Sequence, residues 1–376
     1  MSVSKSFMIW TSALILVIAF GAYGAFLRLT MGFKVTALND YYPWGLWIAY
    51  DVLTGIALAA GSFSLAFGVY IINKKKFEPL LRPTLLTCLL AYLTTALGLI
   101  IDINQPARFW HPMFPLFFQP HSVLFEVYWC ISLYIIIQLI EFSPIVAEKL
   151  RWKWFYTTME SEKVMIPLVI VGIIVPTLHQ SSLGGLFLIA PDKVHPLWYS
   201  PILPILFYIS ALAAAPAMII IESNISSRVL NRGLELDLLS SLGRAMRYIL
   251  LVYVAIRLLD LIARGAIFSS GDTRALFFFV EILAGFVAPL ILLLSERFVR
   301  SGKVLLLASI LVVFGVIMNR FDVLLTAWLY PPPGAIYFPT WVEISVTGML
   351  VALEALAFTL AVKYLPIFPE IKREHA

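Results

Sequence analysis

Long runs of apolar residues, separated by short polar links, make up almost all of this chain of 376 residues. A helix that crosses a bilayer needs roughly 20 consecutive, mostly apolar residues. Because the links are short, we expect one integral membrane domain over residues 1–376. Ten segments meet the length requirement and predict ten transmembrane helices: 7–29, 46–73, 83–103, 121–143, 164–190, 202–223, 244–264, 275–296, 303–329 and 341–365.

The composition excludes a soluble protein. Hydrophobic residues make up 61% of the chain and charged residues 13%, whereas a soluble domain has about 25% charged residues. In lipid, backbone polar groups must be satisfied within the segment, so apolar runs of this length predict helices. We therefore expect an all-α polytopic membrane protein. The net charge of +5 fits basic residues held at an inner membrane surface and does not indicate nucleic-acid binding.

Basic residues are unevenly distributed between the links. With the N-terminus in the cytoplasm, 19 of the 27 Lys and Arg residues fall on inner links and 6 on outer links, while Arg257 and Arg320 lie within helices. Cytoplasmic links normally carry the excess of Lys and Arg. The bias predicts that both chain ends are cytoplasmic and supports the count of ten, because the loss of one helix would disrupt the alternation.

One stretch places polar groups inside an apolar segment. Residues 176–185 read Pro-Thr-Leu-His-Gln-Ser-Ser-Leu-Gly-Gly. Pro176 removes a backbone donor and kinks the predicted helix just before His179. An ionisable residue at this depth is costly and indicates a functional site. The alternative is a His that only joins neighbouring helices by a hydrogen bond.

Three carboxylates share the predicted depth of His179. Counting ~1.5 Å per residue places Asp51, Asp102 and Glu126 in the outer halves of three consecutive helices. Arg108 follows in the loop just above them. Four titratable groups at one level predict a polar pocket that faces the interior of a helix bundle.

The second half of the chain carries a similar set of charges. Arg257 and Asp260 have the i,i+3 spacing of an intrahelical ion pair, which favours a structural role. Glu222 lies near the inner end of its helix, where it either caps the interface or forms the inner mouth of a proton route. The remaining members are Glu281, Arg320 and Asp322 in outer halves, and Glu354 near mid-membrane.

Several cofactor classes do not match the residues present. Haem b between membrane helices needs paired axial histidines, and only His179 lies deep in a span. Cys88 and Cys130 each stand alone, whereas an iron–sulfur cluster takes about four cysteines. We therefore expect neither haem nor metal in this chain. A quinone headgroup fits better, because it needs donors to its carbonyl oxygens and groups that exchange protons.

Two outer loops are apolar and aromatic. Residues 104–120 contain five Phe or Trp side chains among prolines, and residues 330–339 are Pro-rich and uncharged. Aromatic residues commonly form a belt at the bilayer surface. An excess of exposed apolar surface also marks a docking face for another subunit, and the sequence supports both interpretations equally.

Five motifs spread from about residue 40 to the end of the chain resemble one family. They are Pro43-Trp-Gly-Leu-Trp-Ile-Ala-Tyr-Asp51, Ser122-Val-Leu-Phe-Glu126, Pro176-Thr-Leu-His-Gln-Ser-Ser-Leu-Gly184, Lys193-Val-His-Pro-Leu-Trp198 and Tyr337-Phe-Pro-Thr-Trp-Val-Glu343. In this order they resemble the polysulfide reductase/NrfD membrane-subunit family. The closest resemblance is to its ten-helix branch, with the membrane subunits of nickel–iron hydrogenase-2 and of Hdr-like (Dsr-type) menaquinol oxidoreductases.

The resemblance implies two four-helix bundles, 46–190 and 202–329, flanked by helices 7–29 and 341–365. It implies a menaquinone site near the outer face of the first bundle and no haem. Electrons would pass between menaquinol and a ferredoxin-like subunit that carries [4Fe–4S] clusters on that face. Further redox subunits of a hydrogenase or an Hdr-like complex would complete the assembly in the cytoplasmic membrane. The resemblance leaves open whether electron transfer is coupled to proton movement.

The resemblance also implies roles for single residues. Asp51, Glu126 and His179 fall on the family's polar pocket and are the implied catalytic groups. Asp102 and Arg108 join the residues expected to bind menaquinone, because they lie at or just above the predicted depth of this pocket. The implied inward proton route contains Glu222, Arg257, Asp260 and Glu281, to which depth adds Arg320.

Two other function classes remain open. Two similar bundles with buried ion pairs, and the interruption between Pro176 and Gly184, also fit a proton-coupled secondary transporter. A purely structural membrane anchor for a peripheral redox enzyme is the third hypothesis.

Overall fold

The computed structural model describes residues 5–229, 233–269 and 271–368. In these ranges the secondary structure is helical, apart from an isolated bridge between Val194 and Trp328. We number the elements in chain order: α1 Lys5–Met31, α2 Trp47–Ile71, α3 Lys75–Asp102, α4 Val123–Lys149, α5 Lys153–Met159, α6 Glu162–Ile189, α7 Leu203–Val229, α8 Leu236–Ala263, α9 Arg274–Leu294, α10 Gly302–Thr326 and α11 Trp341–Tyr364.

Nine helices in the described part of the chain are long and apolar enough to cross a membrane. They are the elements named above without the short α5 and without α8. Helix α8 has 28 residues, which at ~1.5 Å per residue also exceeds a bilayer core. Helix α8 is not counted among the nine, because its apolar part contains the charged residues Arg247, Arg257 and Asp260. The protein is therefore a multi-pass membrane protein.

Several predicted helix ends were wrong in the same direction. The α-helical part of α3 begins at Leu81, close to the predicted 83, after a 3-10 stretch over Lys75–Leu80, whereas α8 begins at Leu236 rather than 244. Helices α4 and α7 continue to Lys149 and Val229, beyond the predicted ends at 143 and 223. Hydropathy marks only the apolar part of a helix, whereas backbone hydrogen bonding continues into the polar interface. The short α5, which the sequence analysis missed, lies in the same inner region.

Helix α7 lies at the centre of the helix packing. It packs against α2, α6, α8 and α10. Its alanines 211, 213, 214, 215 and 217 are fully buried, and small side chains let membrane helices approach closely. Helices α1 and α11 pack along each other at the side, and α11 rests on α3.

The two ends of the protein are named after the predicted alternation of the links. We call the end with loops 32–46, 103–122, 190–202, 264–269, 271–273 and 327–340 the outer face, and the opposite end the inner face. At the outer face the Tyr41 hydroxyl donates to the Leu329 carbonyl, and the His195 amide donates to the Ala327 carbonyl at 2.7 Å. The predicted cytoplasmic chain ends include residues 1–4 and 369–376, which lie outside the described residues, as does Arg232.

Candidate functional site

Asp51 lies in an irregular part of α2. Residues Trp47–Thr54 form a π-helical stretch, a widening of the helix that often accompanies functional sites. The Asp51 side chain is buried, and its Oδ2 accepts a hydrogen bond of 3.1 Å from the Thr347 hydroxyl of α11. Its backbone carbonyl accepts from the Thr95 hydroxyl of α3 at 2.7 Å. Asp51 thus connects three helices in the outer half of the protein.

Asp102 lies on the neighbouring helix, within electrostatic range of Asp51. A side chain added at Gly98, one turn before Asp102, would come within 3.3 Å of the Asp51 Cβ. Arg28 of α1, which is only 2% exposed, donates to the backbone carbonyls of Asp102 and Ile103 at 3.1 and 3.2 Å. The sequence analysis counted Arg28 only as an outer cation. The structure instead buries it as the positive charge beside this carboxylate pair.

A buried glutamate holds the loops over the Asp51–Asp102 pair. The Glu343 carboxylate accepts from the Tyr337 hydroxyl at 2.6 Å and from the amides of Ala37 and Thr340, both at 2.9 Å. Burial, together with Glu343, raises the pKa of Tyr337 above its ordinary range, so the phenol stays a donor. Thr340 and Glu343 form a capping box at the start of α11. The sequence motif contained Glu343, but only the long-range contacts show this role.

His179 lies in a separate, fully buried position in α6. Neither ring nitrogen has a hydrogen-bond partner among the described residues. The ring meets Tyr92 of α3 edge to face, with 6.0 Å between centroids. The next residue, Gln180, donates to the Ile56 carbonyl of α2 at 2.9 Å. Because buried polar atoms are normally paired, the two nitrogens of His179 call for water or a ligand.

A row of buried polar side chains continues from Tyr92 through the interior. The rings of Tyr92 and Tyr134 lie 4.6 Å apart, and the Cys88 sulfur lies 3.7 Å from the Tyr134 hydroxyl. Further along α4, the Gln138 amide contacts the Ser62 hydroxyl and the Glu141 carboxylate, both at 3.3 Å. The sequence analysis missed Glu141, because the predicted helix end at 143 put it beside the membrane surface. The i,i+3 spacing of Gln138 and Glu141 was the available signal.

Glu126 and Arg108 do not join these groups. Glu126 is exposed in the first turn of α4, and Arg108 is exposed in the loop before it. Among the residues described, neither forms an ion pair. The structure therefore brings Asp51 and Asp102 together, keeps His179 apart in the interior, and leaves Glu126 and Arg108 at the outer surface.

The second half of the chain holds a densely connected charge network. The predicted intrahelical pair is present, with 3.8 Å between Arg257 Nη1 and Asp260 Oδ2. Asp260 also receives Arg264 at 2.6 Å and the Ser200 hydroxyl at 2.7 Å. Arg257 donates to the Leu197 carbonyl at 2.8 Å. Both Asp260 oxygens are engaged, so this acid mainly fixes the loop 190–202 onto α8.

Glu281 and Arg320 form the deeper part of this network. The two Glu281 oxygens accept from the Trp198 indole and the Asn319 amide, each at 2.8 Å. Arg320 donates to the Asn319 side-chain oxygen at 2.5 Å and to the Ser210 hydroxyl at 3.0 Å. Trp198 appears in the sequence only as the last residue of a motif, and Asn319 was not singled out, because predicted depth identifies charged side chains and not their uncharged partners.

Glu222 lies between α7 and two other helices. It sits beside Thr87 of α3 and Glu354 of α11, and its buried Oε1 has no partner within the described ranges. Glu354 has no evident partner in the sequence, and in the structure its carboxylate lies within electrostatic range of Glu222, which is a like charge and not an ion-pair partner. In the described residues, no group of three or more His, Cys, Asp or Glu side chains could hold a metal ion.

Comparisons with known proteins identify the family. The family model described as "Polysulphide reductase, NrfD" matches residues 34–332. The chain is 34% identical, over 92% of its length and 89% of the relative, to the "Probable Ni/Fe-hydrogenase 2 b-type cytochrome subunit" of Escherichia coli. It is 28% identical, over 98% and 93% of the two chains, to the "Menaquinone reductase, integral membrane subunit" of Nitratidesulfovibrio vulgaris.

A third relative widens the range of complexes. It is a selenate reductase subunit of Mesobacillus selenatarsenatis, with 27% identity over 94% of this chain and 93% of the relative. The family match covers most of the chain, as the motifs had indicated. This protein belongs to the polysulphide reductase, NrfD family of integral membrane subunits.

Proposed function

We propose that this chain is the quinone-reactive subunit of a respiratory oxidoreductase complex in the cytoplasmic membrane. Three relatives carry the names of membrane or other subunits of hydrogenase, menaquinone reductase and selenate reductase. The observation that carries the proposal is the free hydrogen-bonding capacity of His179 and Asp51. Asp260 and Glu281 have both oxygens engaged, whereas Asp51 has one hydroxyl partner and the His179 ring has none in the described chain.

These groups suit a quinone headgroup. Menaquinol, when bound, supplies two electrons and two protons. A neutral imidazole has one donor and one acceptor, so His179 can hold one quinone oxygen. The Asp51 carboxyl, which lies apart from His179 on the outer side, can pass the released proton outward while Thr347 keeps it in place. In this proposal Asp102 and Arg28 set the charge beside Asp51, and Glu126 and Arg108 lie where protons leave at the outer face.

A ferredoxin-like subunit with [4Fe–4S] clusters is the proposed electron partner. The outer loop 104–120 exposes large apolar side chains, including Leu116 at 90%, and the loop 330–339 exposes Tyr330 at 82% and Phe338 at 76%. Surfaces of this kind mark sites of protein association. Docking here would bring the clusters close to the Asp51–Asp102 pair, and further redox subunits would complete the complex.

Proton movement through the membrane is part of the proposal. The row from His179 through Tyr92 and Tyr134 to Glu141 offers one path toward the inner face. The second path contains Glu222, Arg257, Asp260, Glu281 and Arg320. Asp260 and Glu281 in this second path are strongly hydrogen-bonded. The first path is therefore the better candidate to carry protons.

The proposed topology has ten spans with both chain ends in the cytoplasm. It counts α8 as a span and groups α2, α3, α4 and α6 into a first bundle and α7 to α10 into a second, flanked by α1 and α11. The packing of α4 on α6 and of α7 on α10 supports this grouping.

Purification in mild detergent tests the function. We expect a stable partner that contains iron and acid-labile sulfur, and menaquinol-linked electron transfer by the complex. A stable partner without quinol turnover would favour the structural anchor. The absence of both the partner and the turnover would favour the transporter. We also expect no haem Soret absorption from this chain, because His179 is the one described histidine inside a spanning helix.

A further inference from the structure

A groove at the inner end of the protein has no part in the proposed electron transfer. It lies between α4 and the short α5 and has a volume of about 430 Å³. The groove opens toward the lipid, because α4 residues such as Ile136 are half exposed there. Its lining is almost wholly apolar: Ile136, Leu139, Ile140, Ser143, Phe155 and Met159.

The connection between the two groove helices is positively charged. Lys149, Arg151 and Lys153 are all exposed within five residues of chain. The nearby acids Glu148 and Glu160 are already paired with Arg82, at 2.8 and 3.8 Å. The three cations have no carboxylate partner in the part of the chain that the structure describes. An excess positive charge therefore remains beside the apolar groove.

The same connection has the features of a segment held at the membrane surface. Trp152 and Trp154 are 61% and 79% exposed, and Trp side chains favour the headgroup level of a bilayer. Arg151 has φ +60°, at the position after the helix where glycine is usual. The Trp152 amide closes this turn onto the Ala147 carbonyl at 3.0 Å. A long cationic side chain thus occupies a turn whose backbone would favour glycine.

We propose that this groove binds an anionic diacyl phospholipid. One acyl chain lies along Leu139, Ile140 and Phe155, and the phosphate contacts Arg151 with Lys149 or Lys153. Basic clusters beside membrane helices attract anionic headgroups, with about 1 kcal/mol for each Lys or Arg. The apolar lining and the exposed cations together match a ligand with both a hydrocarbon chain and a negative headgroup.

Lipid retention by the purified full chain tests this inference. The protein is washed in neutral detergent, supplied with phosphatidylglycerol or phosphatidylcholine, and examined by native mass spectrometry and by thermal melting. We expect phosphatidylglycerol to be retained and to raise the melting temperature more than phosphatidylcholine. Because one cationic contact corresponds to roughly a fivefold change in binding, Arg151→Gly should reduce phosphatidylglycerol retention about fivefold.

Arg151→Gly is informative because it favours the turn while it removes the charge. Its apo melting temperature should be equal or higher, so weaker lipid binding cannot be ascribed to misfolding. Ile140→Trp should fill the groove and reduce retention of both lipids. Lys75→Gln on another inner link is the charge control and should leave retention unchanged.

Three results would overturn the inference. They are equal retention of the two lipids, unchanged phosphatidylglycerol retention in Arg151→Gly, and an equal loss in Lys75→Gln. Loss of a protein subunit from Ile140→Trp with lipid retention intact would assign the groove to a partner helix instead. None of these results bears on quinol turnover, so the two proposals stand or fall separately.

Discussion

The rings of His179 and Tyr92 meet edge to face at 6.0 Å between centroids, and this contact fixes the imidazole without using either nitrogen. Both nitrogens are buried and lack a partner in the described residues. Tyr92 therefore positions the ring, while its hydrogen-bonding capacity stays available. A histidine that served only as packing would normally use one nitrogen to join a neighbouring helix.

Replacement of His179 should weaken quinone binding. His179→Ala should lower the affinity for a menaquinol analogue and reduce turnover, because it removes the donor and the acceptor together. His179→Gln should recover part of the affinity, because an amide can still donate, but should not restore proton exchange. The measurement is inhibitor titration of the assembled complex with all three proteins. Equal affinities would mean that the headgroup binds elsewhere.

Removal of the Asp51 charge should have a large effect on turnover. Asp51→Asn keeps the shape and the Thr347 contact but cannot exchange a proton, so quinol-linked electron transfer should fall by roughly 10²-fold. Thr347→Val removes only the hydroxyl donor and should cost less than tenfold. Glu126→Gln should also reduce turnover by roughly 10²-fold if Glu126 passes the proton outward. Unchanged turnover in either folded carboxylate variant would exclude that residue as a proton-exchanging group.

The sequence predicts the helices well and their ends less well. Apolar runs locate each long helix, because burial in lipid imposes a composition on the span. They do not locate the ends at Leu236 or Lys149, because a helix can continue into the polar interface. Glu141 was missed for this reason, since it lies at the predicted end of the apolar run but inside the packed protein.

Depth along a helix proved a weaker guide than the direction in which a side chain points. Asp51, Asp102, Glu126 and His179 share a predicted depth, yet Glu126 is exposed while His179 is fully buried. The apolar spans show little amphipathic pattern, so sequence alone cannot say which face meets the interior. The burial of Arg28 was not predicted, because its partners are backbone carbonyls at the end of another helix. The spacing of residues along the sequence does not indicate such contacts.

The charge network around Asp260 should be important for stability. Asp260→Asn leaves the buried Arg257 and the partly buried Arg264 without a carboxylate, and loss of one member of a buried pair costs about 3 kcal/mol or more. Asp272→Asn is the matched control, because its pair with Arg274 at 2.8 Å is partly exposed to solvent and should be worth less than about 1 kcal/mol. Thermal melting in detergent compares the two. Similar small shifts would show that Leu197 and solvent satisfy Arg257 without the acid.

The stability that the outer loop 190–202 gains from His195 should decrease under mildly acidic conditions. The His195 side chain is buried, and its Nδ1 accepts a hydrogen bond of 3.2 Å from the Leu197 amide. Burial lowers the pKa of His195 below the ordinary 6.5, with Arg274 acting in the same direction and Asp272 against it. A protonated Nδ1 can no longer accept from Leu197, so the folded state disfavours the charged ring.

This shift gives stability a definite dependence on pH. The unfolded chain binds the proton near pH 6.5 and the folded protein only below that value, so stability is complete above about pH 6.5 and falls as the pH decreases further. His195→Asn retains an acceptor for the amide two residues on but does not titrate. Melting temperatures of the full chain between pH 8 and pH 5.5 should therefore decrease more for the wild type than for His195→Asn. Parallel curves for the two proteins would show that other groups cause the acid sensitivity.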